Sequence, residues 1–487
     1  MNECAEKRIV VVGAGEAGRM VAAEIAAHPE LASRVVGFLD DAPNLAGSTV
    51  DGVPVLGGTG DLEAVVLREN AAEVVIAIPT APGAFVRGMI KHCRRAGVPF
   101  KIVPGVMEII TGGVRIDQIR EVRVEDLLGR ETVDLDPGSA RGVIAGVPVL
   151  VTGAGGSIGG ELCRQIARIG PRSLVLLGRG ENRIFEIEDE LRSSHPRLDI
   201  RTCITDLRDR ERTRRIVREH APDVVFHAAA HKHVHYMERD PEEAVTNNVE
   251  ASVHLVRAAE EFGASRFVFI STDKAADPRG VMGATKRIFE EYLRARSARS
   301  PARLITVRFG NVIGSTGSVV PLFLKQIRRG GPVTVSDPRA TRYFMTVREA
   351  ALLVIRASAI GKGGEIFILD MGEALNMLEV AQDLIMLAGY EPETEIPVVV
   401  TGLRDGEKLH ESLVGAGERL RPAGEEKLFV AEQAGAVSAG METAVEELIA
   451  LARGGERARV LERMASLVPG FGSGGGAEGG PSAGAKC

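Results

Sequence analysis

No apolar run in this chain of 487 residues approaches the ~18 residues that span a bilayer. A transmembrane helix is therefore not expected. The first eight residues run directly into a strand-like stretch and contain no apolar signal-peptide core. Cysteine is scarce. Cys4, Cys93, Cys163, Cys203 and Cys487 are scattered without the spacing of a metal site. A sparse, odd set in a long chain fits a reducing compartment, so a cytoplasmic protein is expected. Long basic blocks are missing as well. Lys+Arg 60 against Asp+Glu 66 leaves a net charge of −6 with both signs interspersed, which gives no reason to expect a nucleic-acid partner. Core material is plentiful. At 45% hydrophobic residues the chain can bury several cores, and its length predicts roughly three domains or two large ones.

Two strand–glycine–helix openings divide the chain. The first runs from a strand at 8–12 through Gly13-Ala-Gly15-Glu-Ala-Gly18 into a helical pattern at 20–27. Strand-like runs follow at 35–39, 74–78 and 99–103, with a helix near 86–96. Strands alternating with helices imply a doubly wound parallel sheet. Residues 1–111 are read as this first Rossmann-like domain. Residues 112–146, with Val124-Glu-Asp-Leu-Leu-Gly-Arg130 and Asp134-Leu-Asp-Pro137, read as a connector. The second opening is Val147-Pro-Val-Leu-Val-Thr152, then Gly153-Ala-Gly-Gly-Ser-Ile-Gly159, then a helix through Ile169. Strands are expected at 173–177, 200–203, 223–227, 266–270 and 304–309. The fold class is thus α/β, with two Rossmann-like doubly wound parallel-sheet domains. The second spans 147–431. Beyond about Asn311 its alternation weakens into what reads as a substrate-binding region outside the main core. Residues 432–468 read as helical. The glycine-rich tail 469–487 is expected to be disordered.

Gly153, Gly156 and Gly159 follow a strand and open a helix. Such glycines permit a tight turn and close backbone approach, and the helix N-terminus favours a pyrophosphate. Ser157 and Ile158 belong to the same turn. Asp206 and Leu207 end the third strand, where a carboxylate can meet adenine. A dinucleotide site is expected here. Arg179, at the end of the second strand, suits the 2′-phosphate of NADP and equally suits a solvated loop, so NAD and NADP both stay open. In the first domain Asp40 follows Gly18 by 22 residues, which suits a ribose-binding acid. No acid/base pair follows its later strands. Nucleotide binding and a structural or regulatory role both stay open there.

His227, His231, His233 and His235 crowd one strand end, but no cysteine or carboxylate completes a tidy ligand set, and no metal is expected. The segment reads instead as a turn along the cofactor, with Ala228 and Ala229 passing close to it and Lys232 facing the site. Thr272, Asp273 and Lys274 follow the strand at 266–270. In open α/β sheets chemistry gathers at the carboxyl ends of strands, and an adjacent acid/base pair suits proton transfer. Lys286 lies four residues after Met282, on the same face of the next helix.

With these residues in hand, the chain resembles the nucleoside-diphosphate-sugar 4,6-dehydratases of bacterial polysaccharide biosynthesis. These are capsule-type extended short-chain dehydrogenases acting on UDP-N-acetylglucosamine. The shared motifs include Thr152-Gly-Ala-Gly-Gly-Ser-Ile-Gly159, His227-Ala-Ala-Ala-His-Lys-His-Val234, Ser271-Thr-Asp-Lys-Ala275, Gly283-Ala-Thr-Lys286, Arg308-Phe-Gly-Asn-Val312, Thr341-Arg-Tyr-Phe-Met-Thr346 and Gly402-Leu-Arg-Asp-Gly-Glu-Lys-Leu409. They cover about 147–413. Related enzymes usually carry a tyrosine where Met282 stands; methionine there is usual in the long members. The resemblance implies NAD or NADP, a UDP-sugar substrate and a homo-oligomer. It implies that C4 is oxidised, the C5 proton removed, the C6 hydroxyl expelled as water and hydride returned to C6. Thr272 would hold the C4 oxygen, Asp273 act as acid/base at C4 or C6, Lys274 as C5 base, and Lys286 hold the nicotinamide ribose. Lys232, Met282, Asn311, Arg342, Arg404 and Glu407 would face the substrate, the arginines being suited to its pyrophosphate.

Two departures stand out. The long members begin with several transmembrane helices that are missing from this sequence, which implies a soluble or truncated form. Asp405 also stands where the family more often has proline. Other readings are a dehydratase that inverts C5, a sugar-nucleotide 4-epimerase, and a catalytically silent nucleotide-binding regulator. The Asp273–Lys274 pair argues against the epimerase, and Met282 is the feature favouring the regulator.

Overall fold

Short runs of valine and isoleucine supply both sheets of the computed structural model, which describes residues 6–79, 81–103, 119–120, 122–127, 138–433 and 440–472. The first sheet contains β1 (Lys7–Val12), β2 (Ser33–Leu39), β3 (Thr49–Val50), β4 (Val53–Gly57), β5 (Glu73–Ile76) and β6 (Phe100–Ile102), in the order β3-β4-β2-β1-β5-β6. All pairs are parallel except the β3–β4 hairpin. Val10, Val11 and Val12 are fully buried, because helices Glu16–Ala27, Leu62–Glu69 and Gly83–Arg95 cover the sheet. The hairpin and the helix Leu62–Glu69 were not expected from sequence. The helix buries only Leu62, Val65 and Val66, too few for a clear periodic face.

Among the described residues the second sheet has nine strands. It opens with β7 (Pro148–Thr152), β8 (Ser173–Gly178), β9 (Asp199–Ile204), β10 (Val224–His227), β11 (Arg266–Ile270) and β12 (Arg303–Arg308). Then come β13 (Asn311–Val312), β14 (Val333–Val335), β15 (Thr341–Arg342), β16 (Phe344–Met345), β17 (Ile366–Leu369), β18 (Leu375–Asn376), β19 (Val398–Val400), β20 (Glu418–Pro422) and β21 (Leu428–Gln433). The order is β20-β21-β17-β12-β11-β10-β7-β8-β9. From β9 through β17 the neighbours are parallel, and β21 and β20 add on antiparallel. This corrects one expectation. The region past Asn311 does not simply leave the core, because β17, β21 and β20 return to the main sheet. The remaining short strands pair as β13–β16, β14–β19 and β15–β18. The last two pairs border a lobe whose core holds Phe323, Val333 and Leu384.

Helices Met441–Arg453 and Arg457–Leu467 close the second domain. Their Val445, Leu448, Val460 and Met464 share one core with Met282, Ile288 and Phe289 of helix Val281–Ser297. The two domains meet where helix Gly83–Arg95 touches helix Met377–Leu387. There Arg87 Nε lies 3.5 Å from Asp383 Oδ2, and Arg94 donates to the Leu387 carbonyl. Most of the expected connector, with its Asp134-Leu-Asp-Pro137, and the tail from 473 onward lie outside the described residues. Among the described residues no helix is long and apolar enough to cross a membrane.

Candidate functional site

The second glycine turn is built so that only glycine fits. Gly153 has φ +67°, and a Cβ there would meet Ala229 N at 2.8 Å. A Cβ on Gly159 would meet the Gly153 carbonyl oxygen at 2.1 Å. Helix Ser157–Ile169 starts at Gly156 with no side-chain cap and no acidic residue in its first turn. Its positive end therefore suits an anion. A cavity of about 350 Å³ extends from this turn past Arg179, Asp206, Leu207, Ala228 and Ala229. A second, of about 500 Å³, shares Gly153, Gly156 and Ala228. It continues along Ser157, Ile158, Gly159 and Lys232 to Thr272, Lys274, Met282, Lys286 and Asn311. The fold thus gathers on one cleft residues spread over more than a hundred positions.

At the far end, Asp206 accepts from Arg208 through both carboxylate oxygens and from the Arg208 backbone N–H. The Arg208 guanidinium holds the Asp206 carboxyl below its ordinary range. Asp206 lines the cavity, but its carboxylate is already engaged. Arg179 is half exposed, 4.0 Å from Asp206. Sequence reasoning missed Arg208, although it stands two residues from Asp206. His227 points into the sheet. Its Nδ1 is 2.7 Å from Thr152 Oγ1 and its Nε2 is 2.8 Å from Ser252 Oγ. Burial, with Lys286 adding, drives its pKa down to about 3, so the ring is neutral. Asn248, in a π-helical turn at Thr246–Glu250, accepts from His231 N and donates to His231 O and Thr285 Oγ1. It fixes the turn that carries Ala229 and Lys232 along the cleft. Among the described residues no three His, Cys, Asp or Glu side chains gather as a metal set.

The expected acid/base group lies just past the carboxyl end of β11. Thr272 Oγ1 donates to Asp273 Oδ1 at 2.9 Å, and Lys274 Nζ lies 3.0 Å from the same oxygen. Asp273 is fully buried, and its Oδ2 has no hydrogen-bond partner. Lys274 Nζ is also 3.4 Å from Asn311 Oδ1 and 3.4 Å from Glu411 Oε1. Burial disfavours the Lys274 ammonium, but Asp273 and Glu411 outweigh it and hold its pKa above the usual lysine value. Lys286 differs. Its Nζ donates to the Ile270 carbonyl at 2.9 Å and sits 4.5 Å from the Phe269 ring centroid. Burial pulls it down to about 7 against the attraction of Glu290. Met282 is buried beside it and offers no proton. Beneath the site, fully buried Arg308 pairs with Glu290 and Glu418, and Ser271 Oγ donates to Glu290. This cluster ties β11, β12, β20 and helix Val281–Ser297 together.

Of the two expected substrate arginines, Arg342 is engaged within the protein. Arg342 donates to the carbonyls of Thr341, Leu409 and Lys408 and to Glu407 Oε1. Its guanidinium clamps the loop at 407–409 and is not offered to a pyrophosphate. Glu407 also accepts from Ser336 Oγ, so it belongs to the clamp. Arg404 is exposed on the same loop. In the first domain, Asp40 Oδ2 accepts from Ala14 N of the glycine turn at 2.8 Å and Oδ1 from Ala42 N, so both carboxylate oxygens are already engaged. Glu411 escaped sequence reasoning entirely, since its partner Lys274 is far away in the chain.

Residues 149–433 match the family described as "Polysaccharide biosynthesis protein". The chain belongs to that family. Residues 2–104 match the family described as "CoA-binding domain". The chain is 44% identical over 418 residues to the probable polysaccharide biosynthesis protein EpsC of Bacillus subtilis (strain 168), covering 86% of this chain and 70% of that one. It is 31% identical over 278 residues to a UDP-N-acetylglucosamine 4,6-dehydratase (inverting) of Campylobacter jejuni subsp. jejuni serotype O:23/36 (strain 81-176), covering 56% of this chain and 79% of that one. The solved structure of Pen from Bacillus thuringiensis is 30% identical with a TM-score of 0.55, over 64% of this chain and 98% of that one. The fold is of the extended short-chain dehydrogenase type, and the enzyme class is that of the sugar-nucleotide members.

Proposed function

We propose that the protein is a sugar-nucleotide 4,6-dehydratase acting on UDP-N-acetylglucosamine or a close relative, with NAD or NADP held in the cleft. One observation carries this reading: Thr272, Asp273 and Lys274 form a hydrogen-bonded group beside the same cavity that the glycine turn opens. The residues fit a dinucleotide. Gly153, Gly156 and Gly159 leave room for the pyrophosphate, Ser157 and Ile158 bring backbone N–H groups, and Lys286 suits the nicotinamide ribose. Arg179 stands near enough to Asp206 to meet the adenosine ribose, where a 2′-phosphate would distinguish NADP. Such a cofactor would supply a hydride acceptor for C4 and a hydride donor for C6.

The chain's own groups handle the protons. Thr272 Oγ1 would hold the C4 oxygen and relay its proton toward Asp273, to which it already donates. Asp273 would be the acid/base at C4 or C6, assisting the C6 hydroxyl as it leaves. Lys274 is the group for C5. As an ammonium it must lose its proton before it can take one from carbon. A 4-epimerase needs neither group at C5 and C6. A dehydratase that also inverts C5 would use the same cleft, and the configuration of its product separates the two.

Purified protein incubated with UDP-N-acetylglucosamine should yield a 4-keto-6-deoxy product, read by mass and NMR. Denaturation should release NAD or NADP in near-stoichiometric amount. A protein that releases no dinucleotide and binds none on titration would sink the dehydratase reading.

A further inference from the structure

Two carboxylates hold Lys274, and one of them belongs to no motif read from the sequence. Glu411 Oε1 lies 3.4 Å from Lys274 Nζ, opposite Asp273 Oδ1 at 3.0 Å. Glu411 is only 7% exposed, and its Oε2 is buried with no hydrogen-bond partner. The Lys408 ammonium lies 3.9 Å from that oxygen, beyond hydrogen-bonding reach. Burying a carboxylate is costly unless it acts on a nearby charge. We propose that Glu411 is the positioning residue of this site: it holds the Lys274 ammonium against Asp273 and sets the pH at which Lys274 becomes a base. The base role rests on the dehydratase reading, whereas the charge coupling rests on geometry alone.

The charges that face Lys274 decide its state. Asp273 on its own turn and Glu411 on the loop after 409 attract it. Arg342 of β15 repels it, and so does Lys408, whose own ammonium Lys274 disfavours. Asn311 faces it with a neutral amide oxygen. Farther out, Asp277 acts on Lys408 and Asp273 acts on the Tyr343 phenol. The two nearest charges are negative, so the sum favours the ammonium even though burial alone would lower the pKa. An amine so held takes no proton from carbon. Glu411 is therefore a restraint on the base as well as its support.

The test reads Lys274 directly, in the full chain. Its acetylation by acetic anhydride is followed against pH by peptide mass spectrometry, so no substrate is needed. Glu411→Gln should lower the titration midpoint by about one pH unit, the scale of a nearby opposite charge. Glu411→Asp keeps the charge and should stay near the parent. Lys408→Met removes a like charge and should move the midpoint upward. The alkaline rise of turnover on UDP-N-acetylglucosamine should shift in the same directions. An unmoved midpoint in Glu411→Gln overturns the inference whether or not the parent shows turnover. A midpoint that moves in a protein without turnover upholds the coupling and removes the dehydratase reading instead. If Glu411→Gln does not fold, Glu411→Met, which removes the same charge at similar volume, decides, and an unmoved midpoint there overturns the inference.

Discussion

At Gly18 and at Gly159 an added Cβ would strike the carbonyl oxygen of the first glycine in its turn, at 1.9 Å and 2.1 Å. Both domains thus use glycine for the same close approach of helix to strand. They differ in the charge placed at the helix end. In the first domain Asp40 bonds Ala14 N and Glu16 sits in the first helical turn, so negative charge already faces the positive end of the helix. In the second domain no acidic residue lies in the first turn, and a cavity opens over it. A strand–glycine–helix pattern therefore encodes helix packing in either case. Whether it also cradles an anion depends on which side chains reach the turn from elsewhere in the sheet.

The largest effects should come from the strand ends that only the second domain equips. Asp273→Asn and Lys274→Ala should each lower turnover by a factor on the order of 10² to 10⁴, with dinucleotide still bound. Asp40→Asn in the first turn should leave turnover within a few-fold. Steady-state rates near the parent in either of the first two variants would break the comparison. The glycines sharpen it next. Gly159→Ala should strip the protein of releasable dinucleotide. Gly18→Ala makes the same collision but should leave dinucleotide content intact. It should instead cost the first domain roughly 1–3 kcal/mol of stability, read by thermal unfolding.

A smaller effect is expected from removing the first domain. A chain starting at Gly138, which keeps helix Gly138–Ile144 and its buried Ala140, should keep its dinucleotide and its turnover. Its melting temperature should fall by a few degrees, about what 1 kcal/mol produces in a large domain, because Asp383 and Leu387 lose their partners. Loss of chemistry in a folded truncation would show that the first domain supplies part of the site. The smallest effect belongs to Met282→Leu, which keeps apolar volume and should cost less than about 1.5 kcal/mol. Its turnover should stay within a few-fold of the parent.

The parts of this protein that were legible in the sequence share a local cause. β7, β10 and β11 are continuous buried runs that stop at a glycine, a histidine or a Thr-Asp pair, so strand and site announce each other within ten residues. The parts that were missed depend on distant partners. Ile366–Leu369 is a four-residue run whose place beside β12 is set by the sheet. Arg342 read as a phosphate ligand because nothing local shows that the carbonyls of 408 and 409 fold back onto it. Glu411 drew no reading at all, since its partner Lys274 lies 137 positions away in the chain.

The helix that carries Met282 and Lys286 receives its outer cover from residues 441–467, close to the end of the sequence. During synthesis at about 5–20 residues per second, that helix waits roughly ten to forty seconds before its covering pair is made. Until then Ile288 and Phe289 have their sheet-side neighbours but not the C-terminal pair. The described strands of the first domain are made far earlier, ending at Ile102, and only Leu387 among its apolar neighbours comes from the second domain. The nascent chain therefore carries one nearly complete domain and one open apolar seam, and that seam is the surface on which a chaperone would act.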